Sequence, residues 1–335
     1  MNSSFFFVND TFLPATQASL LVTDLSIQRA YGIFDFFMTL GDRPIFLDEH
    51  LDRFFHSAAQ LRLPVGRTRE ELKTIIAGLQ QRNGIPDSGI RMTLTGGYSA
   101  DGYTLSQPNL IITQKPLDTE IIPICEPPIR LVTYPHCRQM PGTKTIDYLM
   151  AIWLQPYIRQ HDANDVLYHQ NGVVSECPRS NFFIVTADDS IVTPARNILL
   201  GITRMKVLEV AATRFRVEER DVTLEDIRTA KEAFITSTTK HILPVSHIDG
   251  HQIGQSASTA AAGVPAVGAS APGVPGPVSQ WLNEQVYELV VSHQSKSPEL
   301  PIFASNHPHS SYMTLSTVLP DITAYSSQPP QLTDK

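Results

Sequence analysis

The chain has 335 residues, 42% of them hydrophobic and 18% charged, with a formal net charge of -7. That length suits two domains with ordinary cores, and the acidic balance argues against a nucleic-acid partner. Three cysteines (Cys125, Cys137 and Cys177) have no paired spacing, and eleven histidines are scattered without an H-E-x-x-H motif, so neither a disulfide framework nor a metal site is expected.

The first apolar run is Phe5–Val8, ended by Asn9-Asp10. It is too short for a signal-peptide core or a spanning helix, so it reads as a strand, with no membrane association and a cytoplasmic location expected. Gly32–Leu40 (G-I-F-D-F-F-M-T-L) reads as a strand rich in β-formers. Asp48 reads as the cap of a helix whose buried face is Leu51, Phe54, Phe55, Ala58 and Leu61. Thr68 with Glu71 spells a capping box before a second helix, with Leu72, Ile75, Ile76 and Leu79 on one side. Strands follow at 90–94 and 109–113, with Gly96-Gly97 and Asp101-Gly102 supplying turns between them. Three arginines stand out here. Arg53 suits a phosphate, because guanidinium grips its oxygens as a fork. Arg91 lies inside a strand, where a charge needs a partner or a cavity. Arg29 precedes the strand at Gly32. Each taken alone also reads as half of a surface ion pair.

Residues 116–128 hold four prolines and read as a connection between domains. A strand at 129–134 leads to Met140-Pro-Gly-Thr-Lys144-Thr-Ile-Asp-Tyr148. Here Lys144 reads as a turn residue at the foot of a helix whose apolar face is Tyr148, Leu149, Ile152 and Trp153. A lysine against a buried helix loses solvation, its pKa falls, and the free amine can form a Schiff base. A solvated lysine at a helix start has the same local sequence. After a strand at 165–168 and the Asn171-Gly172 hairpin turn comes Glu176, a solvated hairpin carboxylate or a buried acceptor for a protonated ring nitrogen. Gly201-Ile202-Thr203 opens a helix at 203–213 and exposes free N–H groups suited to phosphate. A strand at 233–236 ends in Ser237-Thr238-Thr239, a second phosphate or carboxylate contact or an ordinary hydroxyl-rich turn.

Taken together, the helix with Arg53, the lysine turn, V-S-E-x-x-x-S-N-x-F, L-x-G-I-T-R and T-S-T-T resemble the class IV aminotransferases, the fold-type IV pyridoxal-phosphate enzymes. That family includes branched-chain aminotransferases, D-amino-acid transaminases and aminodeoxychorismate lyases. The resemblance covers roughly residues 3–254 and a last helix near 278–293. It implies an α+β fold with a small two-layer α/β domain (1–115) and a larger pseudo-barrel α/β domain (129–294). It also implies pyridoxal 5'-phosphate as cofactor and a homodimer in which a neighbour's loop completes each site. By the same resemblance Lys144 carries the cofactor and moves the proton, Glu176 pairs with the pyridine nitrogen, and Arg53 binds the phosphate. Leu200 packs on the ring face, Ile202 and Thr203 form the phosphate turn, Thr239 with Thr238 adds a phosphate contact, and Tyr148 meets the ring hydroxyl.

The substrate partners are a small amino acid and a 2-oxo acid. D-amino-acid transaminases of the well-known type carry an arginine and a histidine in the loop that here runs Gly96-Gly-Tyr-Ser-Ala-Asp-Gly-Tyr103, and a tyrosine where this chain has Phe34. Arg29 with Arg91, aided by Arg179, resembles a less common group that binds carboxylates through other arginines. The expectation is transfer between a D-amino acid of the D-alanine or D-glutamate type and 2-oxoglutarate. A branched-chain L-amino-acid aminotransferase and an aminodeoxychorismate lyase are the alternatives. Residues 255–277, rich in Ser, Ala, Gly, Val and Pro, read as a flexible insertion, and 295–335 as a disordered tail.

Overall fold

A computed structural model describes residues 4–117, 126–254 and 275–296. The first sheet has six antiparallel strands: β1 (Phe5–Val8), β2 (Thr11–Pro14), β3 (Gly32–Leu40), β4 (Arg43–Pro44), β5 (Ser88–Thr95) and β6 (Leu110–Pro116), ordered β2-β1-β6-β5-β3-β4. A short helix α1 (Leu25–Arg29) precedes β3, and α2 (Leu47–Gln60) and α3 (Arg69–Asn83) cover one face. Leu51, Phe54, Leu72, Ile76 and Leu79 from these helices close a core with Ile33, Phe37, Ile90, Met92 and Ile112. The period of two then decides the site. On β3 the odd residues Ile33, Asp35 and Phe37 face α2, while Phe34 and Phe36 face the other way. On β5, Arg91 is paired directly with Phe36 on that second face.

The capping box at Thr68 and Glu71 forms as spelled. Asp48 does not cap α2. The cap residue is Phe46, in a left-handed conformation without a side-chain bond, and Asp48 lies in the first turn, paired with Lys73.

The second sheet holds β7 (Ile129–Pro135), β8 (Asp165–Gln170), β9 (Val173–Val174), β10 (Glu176–Cys177), β11 (Ser180–Val185), β12 (Ile191–Thr193), β13 (Val217–Glu219), β14 (Val222–Thr223), β15 (Glu232–Ser237), β16 (His241–Ile248) and β17 (His251–Gln252). Its main path is β13-β12-β11-β15-β16-β7-β8-β9-β14. β10 pairs with β11, and the adjacent Ser175 N–H donates to the Tyr168 carbonyl of β8 (2.9 Å). The sheet therefore curls back on itself. Phe182, Ile184, Leu167 and Val245 fill the inside of the curl. Phe183 and Phe234 face outward, stacked 4.9 Å apart, onto α6 (Ile202–Ala211) and the last helix, α8 (Pro277–Lys296). The remaining helices are α4 (Leu149–Trp153), α5 (Gln155–Gln160) and α7 (Leu224–Thr229).

α8 begins on the buried Glu232, whose carboxylate accepts from the Val278 and Ser279 N–H groups (2.9 and 2.8 Å). It begins at Pro277, so the last expected residue of the insertion belongs to the helix; residues 255–274 and 297–335 lie outside the described residues, as does most of the connection at 118–125. The two sheets are joined at the lysine segment. The Phe34 N–H donates to the Lys144 carbonyl (2.9 Å), and the Ile146 N–H to the Gly32 carbonyl (3.0 Å).

Candidate active site

Lys144 is not at the foot of a helix. It lies in an extended segment bridged to β3 through Thr145 and Ile33, and α4 starts only at Leu149. The expected apolar face is also outward: Leu149 and Trp153 are 71% and 62% exposed. What desolvates Lys144 is the junction of the two sheets. Its N–H donates to Ser57 Oγ (3.2 Å), and its Nζ lies 4.6 Å from the centre of the Phe34 ring. Burial lowers the lysine pKa to about 7, the Arg53 and Arg138 charges acting in the same direction and Asp35 and Glu176 opposing.

Two cavities meet at this amine. The inner one is small and polar. Glu176, 4% exposed, takes Arg138 Nε (3.0 Å) and Nη2 (2.8 Å) on Oε1, and Asn181 Nδ2 (3.2 Å) and the Leu199 N–H (2.9 Å) on Oε2. Burial still pushes its pKa above the ordinary value, against the pull of Arg138 and the Leu199 N–H. Arg53 also reaches this cavity. It forms no surface pair: Nε and Nη2 grip the two oxygens of the fully buried Asp35, both at 2.8 Å, and His50 Nδ1 meets Asp35 Oδ1 at 2.7 Å. Burial alone would raise the Asp35 pKa, but Arg53 and His50 outweigh it and hold the carboxyl well below its usual range.

Across from Arg53, α6 opens on Gly201 without a side-chain cap. Its first ladder bond runs from the Met205 N–H to the Gly201 carbonyl (3.0 Å), leaving the Ile202, Thr203 and Arg204 N–H groups outside the ladder and facing an electropositive helix end. A Cβ at Gly201 would collide with Asn181 Oδ1. Ser237 and Thr238 complete the wall, beside Thr236, whose buried Oγ1 has no partner.

The outer cavity, about 890 Å³, opens on the other side of Lys144. Phe34 and Phe36 form one wall, and Arg91 lies flat on Phe34, 3.9 Å from the ring centre. Arg159 of α5 and Arg179, between β10 and β11, line it as well. None of the three forms an ion pair among the described residues; Asp165 lines the same cavity, where burial raises its pKa and the Arg179 charge opposes that rise. Tyr148 borders both cavities, tilted against Phe34 at 5.9 Å.

Residues 32–248 match the class IV amino-transferase family. The chain belongs to the class IV aminotransferases. It is 28% identical over 256 residues to a D-alanine aminotransferase of Listeria monocytogenes, covering 73% of this chain and 88% of that one. It is also 28% identical over 260 residues to a putative branched-chain-amino-acid aminotransferase of Methanocaldococcus jannaschii (74% and 88% covered). The fold matches the branched-chain aminotransferase of Escherichia coli with a TM-score of 0.74 at 21% identity, over 87% of this chain and 95% of that one.

This aminotransferase uses pyridoxal 5'-phosphate, and the inner cavity fits that group. It offers a lysine of lowered pKa, a buried carboxylate, three N–H groups outside the ladder at a helix start, and an orphaned hydroxyl at Thr236. Of the residues singled out from the sequence, Arg53, Glu176, Ile202 and Thr203 line the inner cavity, Phe34, Arg91 and Thr239 line the outer one, and Lys144, Tyr148, Arg179 and Thr238 border both. Two do not meet the rest. Leu200 is 63% exposed and lies off the cavity; its neighbour Leu199 lines it instead, because the Leu199 N–H is held by Glu176 and turns that residue inward. Arg29 ends exposed at the tip of α1, its Nη1 on the Gln28 carbonyl (2.8 Å).

The sequence reading missed Arg138, Asp35, His50 and Asn181. A signal existed for Asp35: a charge among the aromatics of G-I-F-D-F-F cannot be buried unpaired. His50 and Arg53, three apart on a helix, were the partners on offer. Arg138 gave no such signal, for its bond to Glu176 spans 38 residues.

Proposed function

We propose that this enzyme moves the amino group between a D-amino acid of the D-alanine or D-glutamate type and 2-oxoglutarate, alternating the two in one site. The observation that carries this reading is the outer cavity, which Arg91 and Arg179 line together with Lys144 while forming no ion pair among the described residues. One guanidinium suits an α-carboxylate and another the distal carboxylate of glutamate or 2-oxoglutarate. Relatives named D-alanine aminotransferase support it.

Pyridoxal phosphate, when bound, supplies the electron sink. Lys144 would bond it, and its freed amine would take the proton from the substrate Cα as general base and deliver it to the cofactor's C4′ carbon as general acid. Glu176 keeps a proton on the ring nitrogen, and Arg138 and Asn181 fix that carboxylate. Arg53, the Ile202 and Thr203 N–H groups and Thr238 hold the phosphate. Tyr148 meets the ring hydroxyl, and Leu199 takes the ring-face position.

A second copy completes the enzyme. Leu21, Val22, Ile27 and Tyr103 stand exposed on the small domain near Arg29, and Leu149, Ile152 and Trp153 beside the outer cavity. Apolar surface of that extent is seldom left bare in a monomer. In the dimer Arg29 reaches the partner's cavity. The enzyme works in the cytoplasm; among the described residues no helix is long and apolar enough to cross a membrane.

The branched-chain reading is second, favoured by the apolar wall of Phe34, Phe36, Ile146 and Ile158. The test adds D-alanine, D-glutamate or L-leucine singly to the cofactor-loaded enzyme and follows its absorbance. Conversion by the D-acids and not by L-leucine is expected; conversion by L-leucine alone overturns the D-specific reading.

A further inference from the structure

Asp35 and His50 are buried, ionisable and unused by the chemistry above. Asp35 is enclosed on the α2 face of β3, between Ile33 and Phe37, both fully buried. Its carboxylate accepts four bonds: two from Arg53, one from His50, and one from the Phe36 N–H (2.8 Å). Oδ1 takes three of these bonds and Oδ2 one, so the buried carboxylate is engaged at both oxygens by the chain itself.

We infer that Asp35, steadied by His50, is the positioning residue that aims Arg53 at the cofactor's phosphate. The guanidinium is a rigid planar fork. With Nε and one Nη2 hydrogen spent on Asp35, the plane is fixed, and the remaining Nη hydrogens turn to the inner cavity. A fork held at its rear binds a phosphate with less ordering cost than a free one.

The same strand carries a second link. Phe34, the residue before Asp35, holds the Lys144 carbonyl through its N–H. One short stretch of β3 therefore sets both the amine that bonds the cofactor and the arginine that meets its phosphate, and fixes the distance between them. Asp35 also places a negative charge beside Arg53, so that the lysine amine faces a neutralised pair rather than a bare cation. That agrees with the direction in which Asp35 acts on Lys144.

This inference rests on the reading of Arg53 as the phosphate contact, and the test separates the two. Cofactor-free protein is titrated with pyridoxal 5'-phosphate and with pyridoxal, which lacks the phosphate, following tryptophan fluorescence. The readout is the ratio of the two affinities. Arg53→Met is expected to reduce that ratio at least about tenfold, the loss of one charge-assisted contact. An unchanged ratio in R53M overturns the Arg53 reading itself. With R53M behaving as stated, Asp35→Asn is expected to reduce the ratio nearly as much, and D35N/R53M no further than R53M alone. Asp35→Glu, which keeps the charge, should recover part of it. A residue that only props up the fold would weaken both ligands equally and lower the melting temperature, leaving the ratio intact; that result in D35N overturns the proposal. If D35N does not fold, His50→Leu carries the same readout. It leaves the Asp35–Arg53 pair and should reduce the ratio about threefold, the weight of a single neutral bond; no reduction overturns the proposal.

Discussion

Around Glu176 the buried carboxylate and the Arg53 guanidinium are both answered by the chain itself. Arg138 and Asn181 reach its two oxygens from the segment after β7 and from β11, and Asp35 holds Arg53 from β3. Beyond Lys144 the outer cavity is lined by Arg91, Arg159 and Arg179, which form no ion pair among the described residues, with Asp165 in the same cavity feeling the Arg179 charge. Buried charges are costly unless paired, so a preorganised cofactor cradle must satisfy itself before anything binds. A substrate cavity can leave its cations to water, which exchanges for a carboxylate when substrate arrives. On the proposed reading, the contrast separates what this enzyme holds permanently from what it exchanges at each turnover.

The largest effect should come where the two regions meet. On the roles proposed for it, Lys144→Ala removes both the covalent bond to the cofactor and the proton carrier. Turnover should fall by at least about a thousandfold, a span general acid–base catalysis alone can supply, and the absorbance of the lysine-bound cofactor should vanish. An unchanged spectrum in K144A would refute the role given to Lys144.

Next is the cradle's own pairing. Arg138→Met leaves Glu176 buried with its main cation gone, at a cost of about 3 kcal/mol of stability in urea unfolding of the cofactor-free protein. The outer cavity should respond in the opposite sense. Arg179→Ala should leave the unfolding midpoint within error, because the side chain has no ion pair to lose, yet lower kcat/KM for D-glutamate about tenfold or more. If R179A destabilised the protein as R138M does, the contrast between the two regions would be wrong.

The smallest effect is a pH dependence. The Lys144 pKa lies at about 7, and only the neutral amine attacks a carbonyl. The rate at which cofactor-free protein captures pyridoxal 5'-phosphate should therefore climb as pH rises from 6 through 7 and level off above about 8. The stability linkage has the same sign: between about 7 and 10.5 the unfolded lysine binds more protons than the folded one, so this group's contribution rises with pH across that window. A capture rate still climbing steeply at pH 9 would mean that the junction does not desolvate the amine.

The strands were the most legible part of the sequence. Gly32–Leu40 could be read from its β-formers to the residue, and the capping box at Thr68 announced α3 by hydrogen-bond chemistry local to four residues. Local signals misled where packing decided the outcome. The spacing of Tyr148, Leu149, Ile152 and Trp153 is that of a buried helix face, yet periodicity reports only that an apolar side exists. In the structure much of that side stands bare. Asp48 looked like a cap because caps are acidic, but the chain enters α2 through Phe46 in a left-handed turn, packed against His293 of α8 with ring centres 4.6 Å apart.

By itself the sequence determined the family, the fold class, and the residue types a cofactor cradle needs: an amine, a carboxylate, a guanidinium and a helix start free of side chain at Gly201. All of these follow from motifs a few residues long. Only the tertiary structure decided that Leu199 rather than Leu200 turns inward, that Arg53 is held from behind by Asp35, that Arg138 meets Glu176, and that Arg29 stands apart from its own chain's cavity. Each of those outcomes depends on a contact between segments tens of residues apart, or on which way one peptide turns. No local propensity encodes them, because burial and pairing are properties of the assembled sheets.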